Sequence, residues 1–247
     1  MTEQADLTLG QSIAKNAIGL ALFAMVTAGT IALVQLNTKD VVAHNIEMAE
    51  AKALYEIVPE SNVDNDLLND TLALKSESSK KSLHVDLLGP ISEKSKAHFA
   101  KQDGKIQTVI LPVVAPNGYT QAIQLLVGIN MDGTIAGVRV VDHKETPGLG
   151  DKVELKKSKW ILSFNGKSLE MPVIEKWAVK KDGGAFDQFT GATITPRAVV
   201  EAVKLSLEFF DKYQEQLISL YQEQRMQQSQ IQQSPNQQSN GTDGAQA

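Results

Sequence analysis

The runs AIQLLVGI, Ala122 to Ile129, and IAGVRVV, Ile135 to Val141, stand on either side of the turn pair Asp132-Gly133. Val, Ile and Leu dominate both runs, and these side chains suit a pleated, half-buried surface. An Asp-Gly pair between two such runs is a strong signal for reversing the chain, so the stretch predicts an antiparallel β-hairpin. Asp103-Gly104, within Lys101 to Lys105, marks another turn. Trp160 to Phe164 reads as a shorter strand before the turn Asn165-Gly166, and Val173 to Val179 as a further one. Leu74 to Ser82 is rich in Lys, Ser and Glu and reads as a surface loop.

Toward the C-terminus the period changes. Val199, Val203, Leu207, Phe210 and Leu217 recur at spacings of three, four or seven residues, which places them on one face of a helix. Thr195 suits its N-cap and Pro196 its first helical position, where a missing N–H costs nothing. Strands followed by an amphipathic helix predict an α+β domain, with a twisted, mainly antiparallel sheet and packing helices. From Gln222 to Ala247 the chain is Gln, Ser, Asn and Gly with little apolar content, which predicts disorder.

Ahead of the strands, Asn16 to Leu36 is an uncharged run of 21 residues. As a helix it would be about 31 Å long at ~1.5 Å per residue, enough for a hydrocarbon core of ~30 Å. The segment before it carries Glu3 and Asp6 against Lys15, and no small-x-small cleavage site follows, so an uncleaved transmembrane anchor is expected rather than a secretory signal. Ala17, Ala21, Ala24, Ala28 and Ala32 form a stripe that lets another helix approach closely. Lys15 and Lys39, one on each side, leave the orientation undecided. Ala43 to Ile57 reads as a helix leaving the membrane, with Ile46, Ala49, Ala53 and Leu54 on one side.

Composition limits the chemistry. The chain has no cysteine, which excludes iron–sulfur ligation by cysteine and c-type haem attachment within it. His44, His84, His98 and His143 are scattered without ligand spacing, so no metal centre is expected. A net charge of -5 without a basic-aromatic stripe argues against a nucleic-acid partner. No Rossmann or Walker phosphate loop is present, and 42% hydrophobic residues make one packed domain feasible.

Two stretches carry chemistry. In Asp187-Gln188-Phe189-Thr190-Gly191-Ala192-Thr193, the last threonine lies just ahead of the predicted helix, where unpaired N–H groups and the macrodipole favour a phosphate. Gly191 and Ala192 let a bulky group approach the backbone. Local chemistry alone also accommodates a plain polar turn with a helix cap. His143-Lys144-Glu145-Thr146-Pro147-Gly148-Leu149-Gly150-Asp151 reads as a tight loop after a strand, with Pro147-Gly148 favouring a turn and Gly150 relieving backbone crowding.

The pattern Asp, two variable residues, Thr, Gly-Ala-Thr resembles the acceptor motif of a flavin transferase, which cleaves FAD and joins its FMN half to the last threonine through a phosphoester. Glu145 to Gly150 is similar to the loop that packs beside the isoalloxazine ring in the same proteins. From about Ala51 to Tyr213 the chain resembles the G subunit of the Rnf-type (Rsx) electron transport complexes. Leu54 to Pro59, Asp64 to Leu68, Gly118-Tyr119 with Ile123 to Gly128, and Trp160 to Lys167 agree with that family.

The resemblance implies an FMN covalently attached through its phosphate to Thr193. Thr190, Gly191 and Ala192 would shape the pocket, and Glu145, Thr146, Pro147, Gly148 and Leu149 would cover the ring. No residue is expected to act as acid or base. Residues 1–15 would form a short cytoplasmic N-terminus, 16–36 the bilayer anchor of a bacterial inner membrane, 43–220 the periplasmic FMN-binding domain and 222–247 the tail. Implied partners are the other membrane and iron–sulfur subunits and, during maturation, the transferase. The alternatives are the C subunit of a sodium-translocating NADH:quinone oxidoreductase, a free-standing flavin reductase, and a non-redox assembly protein. The stretch Asp182-Gly183-Gly184 with Gln188-Phe189 looks more like the Rnf protein.

Overall fold

The computed structural model describes residues 9–233. The residues before Leu9, and the expected tail beyond Gln233, lie outside it. Helix α1 runs without interruption over Leu9–Ile57. It merges the expected anchor with the helix expected at Ala43 to Ile57, because neither Gly nor Pro stands between Leu36 and Ile57, and Pro59 follows only two residues later. The helix is long and apolar enough to cross a membrane. Large side chains such as Leu20, Phe23, Ile31 and Leu36 are exposed along it.

From Glu50 onward the chain forms a second compact unit. Its frame is a five-stranded antiparallel sheet in chain order: β1 Thr71–Ala73, β2 Lys96–Gln102, β3 Lys105–Ala115, β4 Ile123–Asn130 and β5 Ile135–Asp142. The β4–β5 hairpin turns at Asp132-Gly133 as expected, with Gly133 at φ 82°. At the β2–β3 turn both Asp103 (φ 52°) and Gly104 (φ 69°) are left-handed, the requirement of a two-residue turn that matches strand twist.

Strand alternation gives the sheet two apolar faces. Phe99, Val109, Leu111, Leu125 and Val127 belong to the larger core with helix α3, Ile194–Gln233, whose Val199, Val203, Leu207, Phe210 and Leu217 are all buried as the spacing predicts. Ala100, Ile110 and Leu126 face the other way and pack with Leu54, Ile57, Val58 and Leu67. Gly128 and Gly137 are paired across β4 and β5, and together they leave the space that Ile57 fills. Arg139 binds the same turn of helix, through Nε to Glu56 Oε2 at 2.9 Å and Nη2 to the Glu56 carbonyl at 2.8 Å.

Three expectations need correction. Leu74 to Ser82 is not all loop, since Glu77–Ser82 forms a short helix α2. Ser76 caps it, and the fully buried Ser79 donates to the Ala73 carbonyl at 2.7 Å. Trp160 to Phe164 and Val173 to Val179 are not strands. Lys159–Phe164 is a 3-10 turn capped by Ser158, and Ile174–Lys176 is another, beside which the Trp177 indole donates back to the Ser168 and Pro172 carbonyls. In place of ladder bonds, an aromatic cluster fixes this region: Phe164 stacks on Phe186 at 4.7 Å, and Trp160 meets Phe189 edge-on at 5.0 Å.

Order also continues past Gln222, where disorder was expected, because α3 extends to Gln233. Tyr221 is buried, stacks on Phe99 at 3.9 Å and donates to Asp70, while the Gln224 side chain donates to the Thr71 carbonyl at 3.0 Å. These contacts hold the helix against β1 and β2 beyond Leu217, the last residue of the predicted apolar face.

Candidate functional site between two glycine turns

Two turns of the same design face one another. In Thr146–Leu149 the Leu149 N–H donates to the Thr146 carbonyl at 3.1 Å, with Pro147 second and Gly148 third at φ 79°. In Phe189–Ala192 the Ala192 N–H donates to the Phe189 carbonyl at 3.2 Å, with Thr190 second and Gly191 third at φ 80°. A positive φ in the third position is what glycine permits in a type II turn. Between them lies a cavity of about 320 Å³ lined by Glu145, Thr146, Leu149, Gly150, Gly191, Ala192, Thr193, Ile194, Thr195 and Tyr119.

The predicted residues therefore converge. Glu145, Thr146, Leu149, Gly191, Ala192 and Thr193 all line the cavity, whereas Thr190, Pro147 and Gly148 are turn residues beside it. Leu149 reaches over Gly191, whose missing Cβ would stand 3.5 Å from the Leu149 Cδ2 atom. Tyr119, Ile194, Thr195 and Gly150 are additions to the predicted set. Gly150 carried a signal in its crowded loop. Tyr119 comes from the segment before β4, where Gly118-Tyr119 agrees with the family but no pattern in the residues assigns it to the site.

The two segments are locked by Glu145, which is only 4% exposed. Its Oε1 accepts from the Thr120 N–H at 3.1 Å and its Oε2 from the Thr195 hydroxyl. A Cβ at Gly150 would lie 2.7 Å from Glu145 Oε2 and 2.8 Å from Thr195 Oγ1, so only glycine lets the loop close here. The Glu145 N–H donates to His143 Nδ1 at 3.0 Å, which leaves His143 Nε2 to donate to Glu154 at 2.6 Å.

Thr195 is thus a tie between segments and not the N-cap. Helix α3 starts at Ile194, and the Arg197 N–H reaches the Thr193 carbonyl at 3.4 Å, which places Thr193 in the capping position. Among the described residues the Thr193 hydroxyl has no hydrogen-bond partner. It is half-buried and opens into the cavity. Upstream of the turn, the Trp160 indole holds the Asp187 carbonyl at 2.7 Å and Lys180 pairs with the exposed Asp187 carboxylate at 2.6 Å. Arg197 is held away by a bidentate pair with Asp182, at 2.5 and 2.6 Å.

A phosphorylated flavin suits this site in charge and shape. Thr193 stands at the N-terminus of a 40-residue helix with its hydroxyl free, and a helix N-terminus is a place that stabilises a phosphate. The exposed Tyr119, Leu149 and Ile194 give the mouth an apolar rim for a planar ring. Among the described residues no group of His, Cys, Asp and Glu could hold a metal ion.

The FMN-binding domain family matches residues 118–208, which covers both turns, and the RnfG N-terminal region family matches residues 1–57. Three relatives are each named as the G subunit of an ion-translocating oxidoreductase complex. The chain is 46% identical to that of Pseudomonas aeruginosa over 87% of this chain and 96% of the relative. It is 43% identical to that of Vibrio vulnificus, over 84% and 94%, and 42% to that of Shewanella loihica, over 85% and 94%.

Proposed function

The chain belongs to the family of G subunits of ion-translocating oxidoreductase complexes and carries its FMN-binding domain; from that premise we propose that it is a membrane-anchored electron carrier with one FMN phosphoester-linked to Thr193. The observation that carries this reading is the contrast among three threonines. Thr190 is exposed on a turn, Thr195 is committed to Glu145, and Thr193 lines the cavity with an unpaired hydroxyl at the start of a helix, whereas Thr146, also on the cavity, sits on an exposed turn.

When bound there, the flavin supplies two-electron acceptance with release one electron at a time. The residues of the chain hold and orient. Thr193 tethers the phosphate, the α3 N-terminus stabilises its charge, and the Glu145 to Gly150 loop closes one wall. A threonine hydroxyl is a weak nucleophile unless activated, and no base contacts Thr193 among the described residues, which supports attachment by a separate transferase. Helix α1 anchors the carrier in the inner membrane with its domain in the periplasm. There it exchanges electrons with other membrane and iron–sulfur subunits of a complex that couples electron transfer to ion translocation.

The test is intact mass and peptide mapping of the protein from a host that expresses the transferase. The Thr193 peptide should carry one FMN, and Thr193→Val should lose it while the domain stays folded. Acid-stable flavin at undiminished stoichiometry in that variant would refute the assignment.

A further inference from the structure

Glu145 lies in the wall of the cavity that Thr193 lines, and it is nearly removed from solvent. Each carboxylate oxygen receives one donor, the Thr120 N–H on Oε1 and the Thr195 hydroxyl on Oε2. Both oxygens thus serve as acceptors, the role a carboxylate takes. Among the described residues it forms no ion pair. The neighbouring His143 accepts from the Glu145 backbone through Nδ1 and turns Nε2 to Glu154. Gly150 packs closely against the carboxylate, since a Cβ there would stand 2.7 Å from its Oε2. The carboxylate is therefore held in the cavity wall by neutral dipoles.

We propose that the buried Glu145 carboxylate is a positioning residue for charge, making the flavin at Thr193 harder to reduce than free FMN; this rests on the reading given under Proposed function. Near neutral pH, reduction of the ring takes two electrons from the reductant and one proton from solvent, which leaves the ring with one added negative charge. A like charge in a poorly hydrated wall opposes that addition far more than it would in water. The phosphate charge, by contrast, rests against the favourable end of α3.

The experiment uses the full-length protein in detergent, co-expressed with the transferase. Peptide mapping precedes spectroelectrochemical titration with dithionite as reductant. Glu145→Gln should raise the reduction equilibrium constant tenfold or more, a positive shift of about 30 mV or more for a two-electron couple. Glu145→Asp, which keeps the charge, should stay nearer to the parent protein than to the Gln variant. A smaller or negative shift in Glu145→Gln, with flavin on Thr193, overturns the inference and leaves the attachment standing. Absence of flavin from Thr193 in the parent protein removes the attachment and the inference with it. Should Glu145→Gln fail to fold or load, the parent protein decides alone, since a midpoint at or above that of free FMN in the same buffer overturns the inference.

Discussion

The Thr195 hydroxyl donates to the Glu145 carboxylate across 50 positions of sequence, so the two turns of the cavity are fastened to each other through a buried bond. Thr195→Val keeps the shape and removes the donor, leaving a buried carboxylate oxygen unpaired at a cost of about 1–3 kcal/mol. Urea unfolding followed by fluorescence of Trp160 and Trp177 should show that loss. Thr195→Ser should recover most of it, and an unchanged midpoint in the Val variant would refute the role.

Ile57 occupies the hollow left by Gly128, where an added Cβ would stand 2.4 Å from its Cγ2 atom. Gly128→Ala should destabilise the domain by about 1–3 kcal/mol through overpacking. Gly137→Ala, whose Cβ would stand 3.5 Å from Ile57, should be better tolerated. Adding Ile57→Ala to Gly128→Ala should give less than the sum of the single losses, and strict additivity in that double-mutant cycle would contradict the contact.

Asp70 is buried among Tyr221, Lys101 and Asn65. Burial pushes its carboxyl up, but the hydrogen bonds from Lys101 and Tyr221 outweigh it, and the group ends below the ordinary aspartate value. With the folded value depressed, its stabilising contribution is present above the unfolded value of about 3.9 and is lost as pH falls through the folded value. Asp70→Asn should therefore lower stability at neutral pH and flatten the acid limb of the stability profile below about pH 4. An acid limb as steep as that of the parent would count against the cluster.

Gly184 lies where a Cβ would meet the Ala178 carbonyl oxygen at 1.9 Å, a backbone atom that cannot rotate away. Gly184→Ala should open the Val179 and Phe186 bridge and cost about 3 kcal/mol, the upper end of the usual range for a point change. Gly183→Ala is strained differently, because its φ is 82°, and should cost about 1 kcal/mol. The same fluorescence titration compares them, and equal losses would deny the collision.

The β4–β5 hairpin was legible because Asp132-Gly133 imposes a reversal between two apolar runs, whereas at Asp103-Gly104 the turn was legible and the flanking strands β2 and β3 were not. The buried face of α3 was legible because five residues repeat its period. Six of the residues singled out in the two loops that resemble a known family line one cavity. What escaped was decided by distance in sequence. Thr195 and Thr193 are equally good caps by local chemistry, and only Glu145, far upstream, assigns one to bonding and frees the other. Five residues such as Trp160 to Phe164 are too few to separate a strand from a 3-10 turn, and the Ser158 cap settled it. The hollow at Gly128 and Gly137 has meaning only once Ile57 arrives from another element. The polar composition after Gln222 concealed a helix held by Tyr221 and Gln224.

The order β1-β2-β3-β4-β5 has a temporal side. Each strand pairs with the one synthesised just before it, so the sheet can assemble in the sequence in which the chain emerges. Its main apolar face is covered by α3, which comes last. Until residues near Tyr221 have been made and delivered, Leu111, Val127 and their neighbours have no lid. A chain cut short before that point would present a complete sheet with a naked greasy side, a form suited to aggregation and to capture by quality-control proteases.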